Sequence, residues 1–74
     1  MIDGPTTETL ITRVHRVLEG GDFLEVQLQV SPIRYRLDKH RRDLRAHLED
    51  AMKARRTVEV LVDWDCQEVL EVSG

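Results

Sequence analysis

The residues best suited to metal binding or nucleophilic chemistry are His15, His40, His47 and the single Cys66. His40 and His47 stand seven apart. On a helix that is about 10 Å of rise, too far for one ion with direct ligands at about 2 Å. No His-x-x-x-His or Cys-x-x-Cys spacing occurs. The imidazoles on the helix therefore read as partly covered surface. Cys66 has Asp65 beside it and Glu68 two residues on. Nearby carboxylates raise a thiol pKa and blunt its nucleophilicity, so Cys66 reads as packing. Asp63 and Asp65 flank Trp64 and would share one face of an extended segment. They lack the glycine and the further oxygen ligands of a dedicated cation loop, and read as a solvated acidic hairpin. Gly20-Gly21 precedes neither a helix nor a Gly-Lys-Ser/Thr run, so it marks a turn rather than a phosphate cradle. No catalytic residue, metal ligand or cofactor is expected, and the chain reads as non-enzymatic.

The charges carry more information. The formal net charge is −3, but its distribution is uneven. Between residues 34 and 56 nine cations face four carboxylates, a local charge of +5; elsewhere two cations face ten carboxylates, a charge of −8. On a helical projection of about 100° per residue, Arg41, Arg42, Arg45, Lys53 and Arg56 fall on one flank. Asp43 and Asp50 fall on the other. Arg34 and Arg36 precede them on an alternating segment.

Several elements must position these groups. Residues 1–8 form a polar lead-in, loose at its start. Residues 9–18 are β-branched and half apolar. Leu10, Thr12 and Val14 suit one face, and a single bulge would bring Val17 back into step. Glu19-Gly20-Gly21-Asp22 then turns the chain. Leu24, Val26, Leu28 and Val30 alternate inward against Phe23, Glu25, Gln27 and Gln29. After Ser31-Pro32, Ile33, Tyr35 and Leu37 form a third strand. At Asp38 the period changes. Asp38 suits an N-cap, and Leu44, Leu48, Ala51 and Arg55 recur at helical spacing over residues 39–56. Glu49 and Lys53 have the favoured i, i+4 spacing. Alternation returns with Val58, Val60, Val62 and Trp64. Residues 63–67 turn, and Leu70 and Val72 close a last strand. Leu61 and Val69 fall on the faces opposite these sets, available to the helix or a second subunit.

Seventy-four residues allow one small domain, here residues 9–74. Val, Ile and Leu supply 21 of them, enough to build a core rather than a disordered chain. One cysteine cannot make a disulfide scaffold. No 18-residue apolar run is present, and the opening residues lack the basic and apolar regions of a signal peptide. The expected location is cytoplasmic. The order β-β-β-α-β-β predicts an α+β fold of the OB-like kind, a five-stranded barrel with its helix between the third and fourth strands. A β-grasp-like sheet with one helix is the runner-up.

These readings converge on a small interaction module that binds a protein partner or self-associates. Its contact surface would be the basic flank of Arg41, Arg42, Arg45, Lys53 and Arg56, with Arg34 and Arg36 beside it. Complementary charge would orient an acidic partner. The alternative is single-stranded nucleic-acid binding through Arg34, Arg36, Phe23 and Trp64 on the strand face. The acidic loops at Glu19–Asp22 and Asp63–Asp65 and the pI of about 5.5 disfavour it. No membrane and no small-molecule substrate is expected.

Overall fold

A computed structural model describes residues 6–74. The elements are β1 (Thr7–Gly20), β2 (Phe23–Leu28), β3 (Arg34–Asp38), α1 (Arg42–Ala54), β4 (Thr57–Asp63) and β5 (Glu68–Ser73). This is the predicted α+β order, with one helix between the third and fourth strands of a five-stranded mixed sheet. The expected loose start at residues 1–5 lies outside the described residues. Thr7 and Glu8, expected in the lead-in, instead open β1 and pair with Asp63 and Val62.

β1 is long enough to serve two neighbours. Its first half pairs antiparallel with β4, from Thr7↔Asp63 to Arg13↔Thr57. Its second half pairs with β2, from Val14↔Leu28 to Gly20↔Phe23. β2 pairs with β3, and β4 with β5. A parallel bridge, Arg36↔Glu68, joins β3 to β5. The ladder thus runs β1-β2-β3-β5-β4 and closes as a barrel. A β-grasp-like sheet, the runner-up, is open; here the β3–β5 bridge joins the two ends of the ladder. The β3–β5 closure rests on that one bridge pair.

Two bulges set which side chains reach the core. Between β1 and β2 the register advances from Val14↔Leu28 to Arg16↔Gln27, so His15 is the extra residue. This is the slip that the β1 sequence requires: Val14 is buried, and Val17 packs against the core one residue out of phase. A second bulge lies between β4 and β5. Leu61↔Glu71 is followed by Val62↔Val69, leaving Leu70 unpaired on β5. Val69 and Val72 are therefore both core residues, Val69 being 2% exposed, while Leu70 is only half-buried. The expected inward pair, Leu70 and Val72, becomes Val69 and Val72. A bulge on one strand inverts the face assignment beyond it.

Inside lie Leu24, Val26, Leu28, Tyr35, Leu37, Val58, Val60 and Val62. Tyr35 is fully buried, and its hydroxyl lies 3.2 Å from the Ser31 hydroxyl. Thr12 also faces inward. Its hydroxyl donates to the Arg13 carbonyl and accepts the Val30 N–H, so its burial leaves no polar atom unpaired. Val30, expected to point inward, is 58% exposed because β2 ends at Leu28 and the chain turns.

α1 lays Leu44, Leu48 and Ala51 against β1 and β5. Each buried leucine contributes about 1.5–3 kcal/mol. The helix is shorter than the predicted 39–56. Asp38 is still in β3, paired with Phe23, and cannot also be the N-cap. Its carboxylate instead accepts the His40 backbone N–H at 2.8 Å, fixing the turn before the helix. Arg41 occupies the N-cap position with no side-chain cap. At the other end Arg55 turns left-handed at φ 55°, and the Arg56 and Arg55 N–H groups close on the Ala51 and Met52 carbonyls. That is a Schellman motif. Arg55, expected on the apolar stripe, is consequently exposed.

Candidate binding face on the strands and the basic helix flank

Strand register builds a three-by-three grid on the outer face of β1, β2 and β3. The rows are Arg16–Gln27–Arg34, Leu18–Glu25–Arg36 and Gly20–Phe23–Asp38. Alternation forces these side chains outward while their neighbours enter the core. Leu18 and Phe23 are each 40% exposed. Arg36 lies over the Phe23 ring, its guanidinium carbon 5.5 Å from the centroid. Glu25, at the centre, accepts a hydrogen bond from Gln27 Nε2 at 2.9 Å and sits 3.9 Å from Arg34 Nε. The central negative charge is thus partly neutralised within the grid.

The face is concave. Phe23, Leu24, Glu25, Arg34, Arg36 and Gln67, with Gly20 at one rim, line an open depression of about 490 Å³. Gln67 comes from the β4–β5 turn and holds a left-handed backbone at φ 55°. Its carbonyl accepts the Arg36 N–H at 2.7 Å, which ties the turn to β3. Arg34, Arg36 and Phe23 of the expected strand-face set are thereby brought together. Trp64 is not with them. Its indole packs edge-on against Tyr35, with centroids 6.0 Å apart, and its N–H donates to Glu8 at 3.0 Å.

The helix flank is organised differently. Arg41 reaches Asp43 and Glu71. Arg45 reaches Glu19 at 3.5 Å and Glu49 at 3.4 Å, so Glu49 takes Arg45 rather than the expected Lys53. Arg56 pairs with Asp50, which the helical projection placed on the opposite flank. The reason is the left-handed Arg55, which takes the chain off the helix before Arg56. Only Arg42, Arg45 and Lys53 of the five belong to α1. Arg42 and Lys53 make no ion pair among the described residues.

Asp43 and Asp38 both have pKa values lowered from the ordinary carboxylate range. For Asp43 the main cause is the Arg41 hydrogen bond; for Asp38 it is the His40 backbone N–H. The Cys66 thiol is raised, first by partial desolvation, then by Asp63 and Glu68. The effect has the expected direction, but Asp63 rather than Asp65 acts alongside Glu68, and Cys66 is exposed in the β4–β5 turn rather than packed. Among the described residues no group of three or more His, Cys, Asp or Glu could hold a metal ion. No helix there is long and apolar enough to cross a membrane.

Sequence reasoning missed Arg16, Leu18 and Gln67. Arg16 and Leu18 become grid members only through the bulge at His15. Nothing near Gln67 in sequence signals its contact with β3. In comparisons with family models, curated proteins and solved structures, the chain matches none.

Proposed function

We propose that the chain is a small non-enzymatic interaction module built on an OB-like barrel. The ring order β1-β2-β3-β5-β4 and the helix between β3 and β4 support the OB-like reading. Its ligand is a protein partner that presents an acidic, partly apolar segment to the outer face of β1, β2 and β3. The observation that carries this reading is the Arg36–Phe23 stack at the rim of an open depression beside Arg34. Arginine and aromatic side chains dominate the energetics of protein contacts, and here they stand together with Leu18 on a shallow concave surface. Arg42 and Lys53 on the helix add a second basic surface that can steer an acidic partner without being its main contact.

The same stack favours a second reading, single-stranded nucleic acid on this face, since bases pile on aromatic rings and guanidinium planes. Asp22 and Asp65 in the flanking turns oppose it by repelling phosphate. One NMR titration separates the readings. The amides of residues 23, 34, 36 and 67 are followed with an acidic peptide containing aromatic residues, and with an oligothymidylate at low salt. Saturable shifts with the peptide, lost in Arg36→Glu, support the protein reading. Saturable shifts with the oligonucleotide alone replace it with the second. No localised shift with either ligand overturns the face as a binding surface.

A further inference from the structure

Beside the Arg16–Gln27 end of the strand grid, two backbone irregularities meet. The β1 bulge at His15 and the left-handed C-cap at Arg55 both border a cavity of about 330 Å³. Its lining is Arg13, Val14, His15, Gln29, Met52 and Arg55. We infer that this cavity is an anion site for a small phosphate-bearing ligand.

The chemistry of the lining points there. Arg13 and Arg55 bring two permanent positive charges, and neither makes an ion pair among the described residues. His15 and the Gln29 amide add donors, while Val14 and Met52 supply an apolar floor. No carboxylate is among the lining residues. Arg34, Arg41, Arg45 and Arg56 each pair with a carboxylate. Arg13 and Arg55 instead line one depression together with no carboxylate in its lining. Several fork-shaped donors suit a tetrahedral oxyanion better than a single carboxylate. The volume lies at the small end of ligand pockets, which run from about 300 Å³.

The geometry has a structural origin. Arg13 and His15 flank the inward Val14 and are both exposed, and the bulge falls at His15. A non-glycine residue in the left-handed region is strained, and glycine would serve the helix end better. Arg55 keeps its guanidinium at that cost. Two opposing groups stand nearby. The helix C-terminus carries a partial negative charge of about half a unit, but the Arg55 and Arg56 N–H groups already satisfy the Met52 and Ala51 carbonyls. Glu59 lies diagonal to Arg13 across the β1–β4 ladder and makes no ion pair with it among the described residues.

The test is an NMR titration of the full chain with inorganic phosphate and with pyrophosphate, at constant ionic strength set by sodium chloride. The expected result is saturable shifts confined to residues 13–15, 29 and 52–56, with pyrophosphate the tighter ligand. Arg13→Gln and Arg55→Gly should each weaken binding about tenfold or more. Arg55→Gly keeps the fold intact because glycine accepts φ 55°, so its loss of binding reports the missing guanidinium. Arg42→Ala, on the exposed helix, should change affinity less than about twofold. Non-saturating shifts, undiminished affinity in Arg55→Gly, or an equal loss in Arg42→Ala would each overturn the site.

Discussion

The strand face and the helix flank carry comparable numbers of arginines but use them in opposite ways. On the helix flank Arg41, Arg45 and Arg56 are held by Glu71, Glu19 and Asp50, each remote in sequence or on another face. Those pairs fasten α1 to β1, to β5 and to its own C-terminal turn. On the strand face Arg36 stacks on an aromatic ring, and Arg34 touches only Glu25, at the limit of an ion pair. A row of cations in a sequence is therefore not yet a surface. What matters is whether the fold brings a carboxylate close: Arg41, Arg45 and Arg56 gain such partners, whereas Arg36 stacks on Phe23 and Arg34 meets Glu25 only at 3.9 Å.

The sharpest way to break this contrast is to detach the helix. Leu48 is fully buried between α1 and the barrel. Leu48→Ala should cost about 2–5 kcal/mol, read as a lowered denaturant midpoint at unchanged slope. Were α1 only an appended surface element, the loss would be far smaller. Next in size is Arg55→Gly, which should stabilise the chain by about 1 kcal/mol in the same assay by relieving the left-handed backbone.

The Arg36–Phe23 stack is tested by a double-mutant cycle with alanine at each position. Its coupling should be about 0.5–1 kcal/mol, as for exposed cation–π pairs, and zero coupling would reduce the stack to proximity. The helix pairs should be weaker still. Arg45→Ala should lose about 0.2–1 kcal/mol, shrinking in high salt, while Arg42→Ala should be neutral. Equal effects at Arg42 and Arg45 would erase the distinction between held and free cations.

The smallest expected effect concerns Asp38. Its folded pKa is depressed, so its contribution is complete above the unfolded value of about 3.9 and disappears as pH falls through the lower folded value. The melting-temperature difference between the native chain and Asp38→Ala should be constant above about pH 5 and close towards pH 2. A difference that persists at the acid end would mean that the turn at His40 does not depend on the carboxylate.

Much of the fold was legible because period and burial agree. Val58, Val60 and Val62 alternate without interruption, and Leu44, Leu48 and Ala51 keep helical spacing. The β1 bulge could be read from the slip between Val14 and Val17. The β5 bulge could not, since Val69, Leu70 and Val72 are all apolar and either register buries two of them. The charged flank departs from its helical projection at both ends. The helical projection assumed a helix running through Arg41 and Arg56, but each lies outside it. Arg56 therefore swings to Asp50. Nothing local in the sequence joins Arg13 to Arg55, which are 42 positions apart on unrelated elements.

By itself the sequence determined the order of elements, the apolar faces and the split of a −3 net charge into a basic segment and an acidic remainder. Those properties follow from local spacing and composition, which need no partner in space. Only the tertiary structure decided which cations meet carboxylates. It also seated Phe23 under Arg36 and gathered Arg13, His15 and Arg55 around one cavity. The reason is that ion pairing and cavity formation depend on distances across the closed ring of strands. Those distances are set by two bulges and by the left-handed residues Arg55 and Gln67, which local pattern constrains weakly.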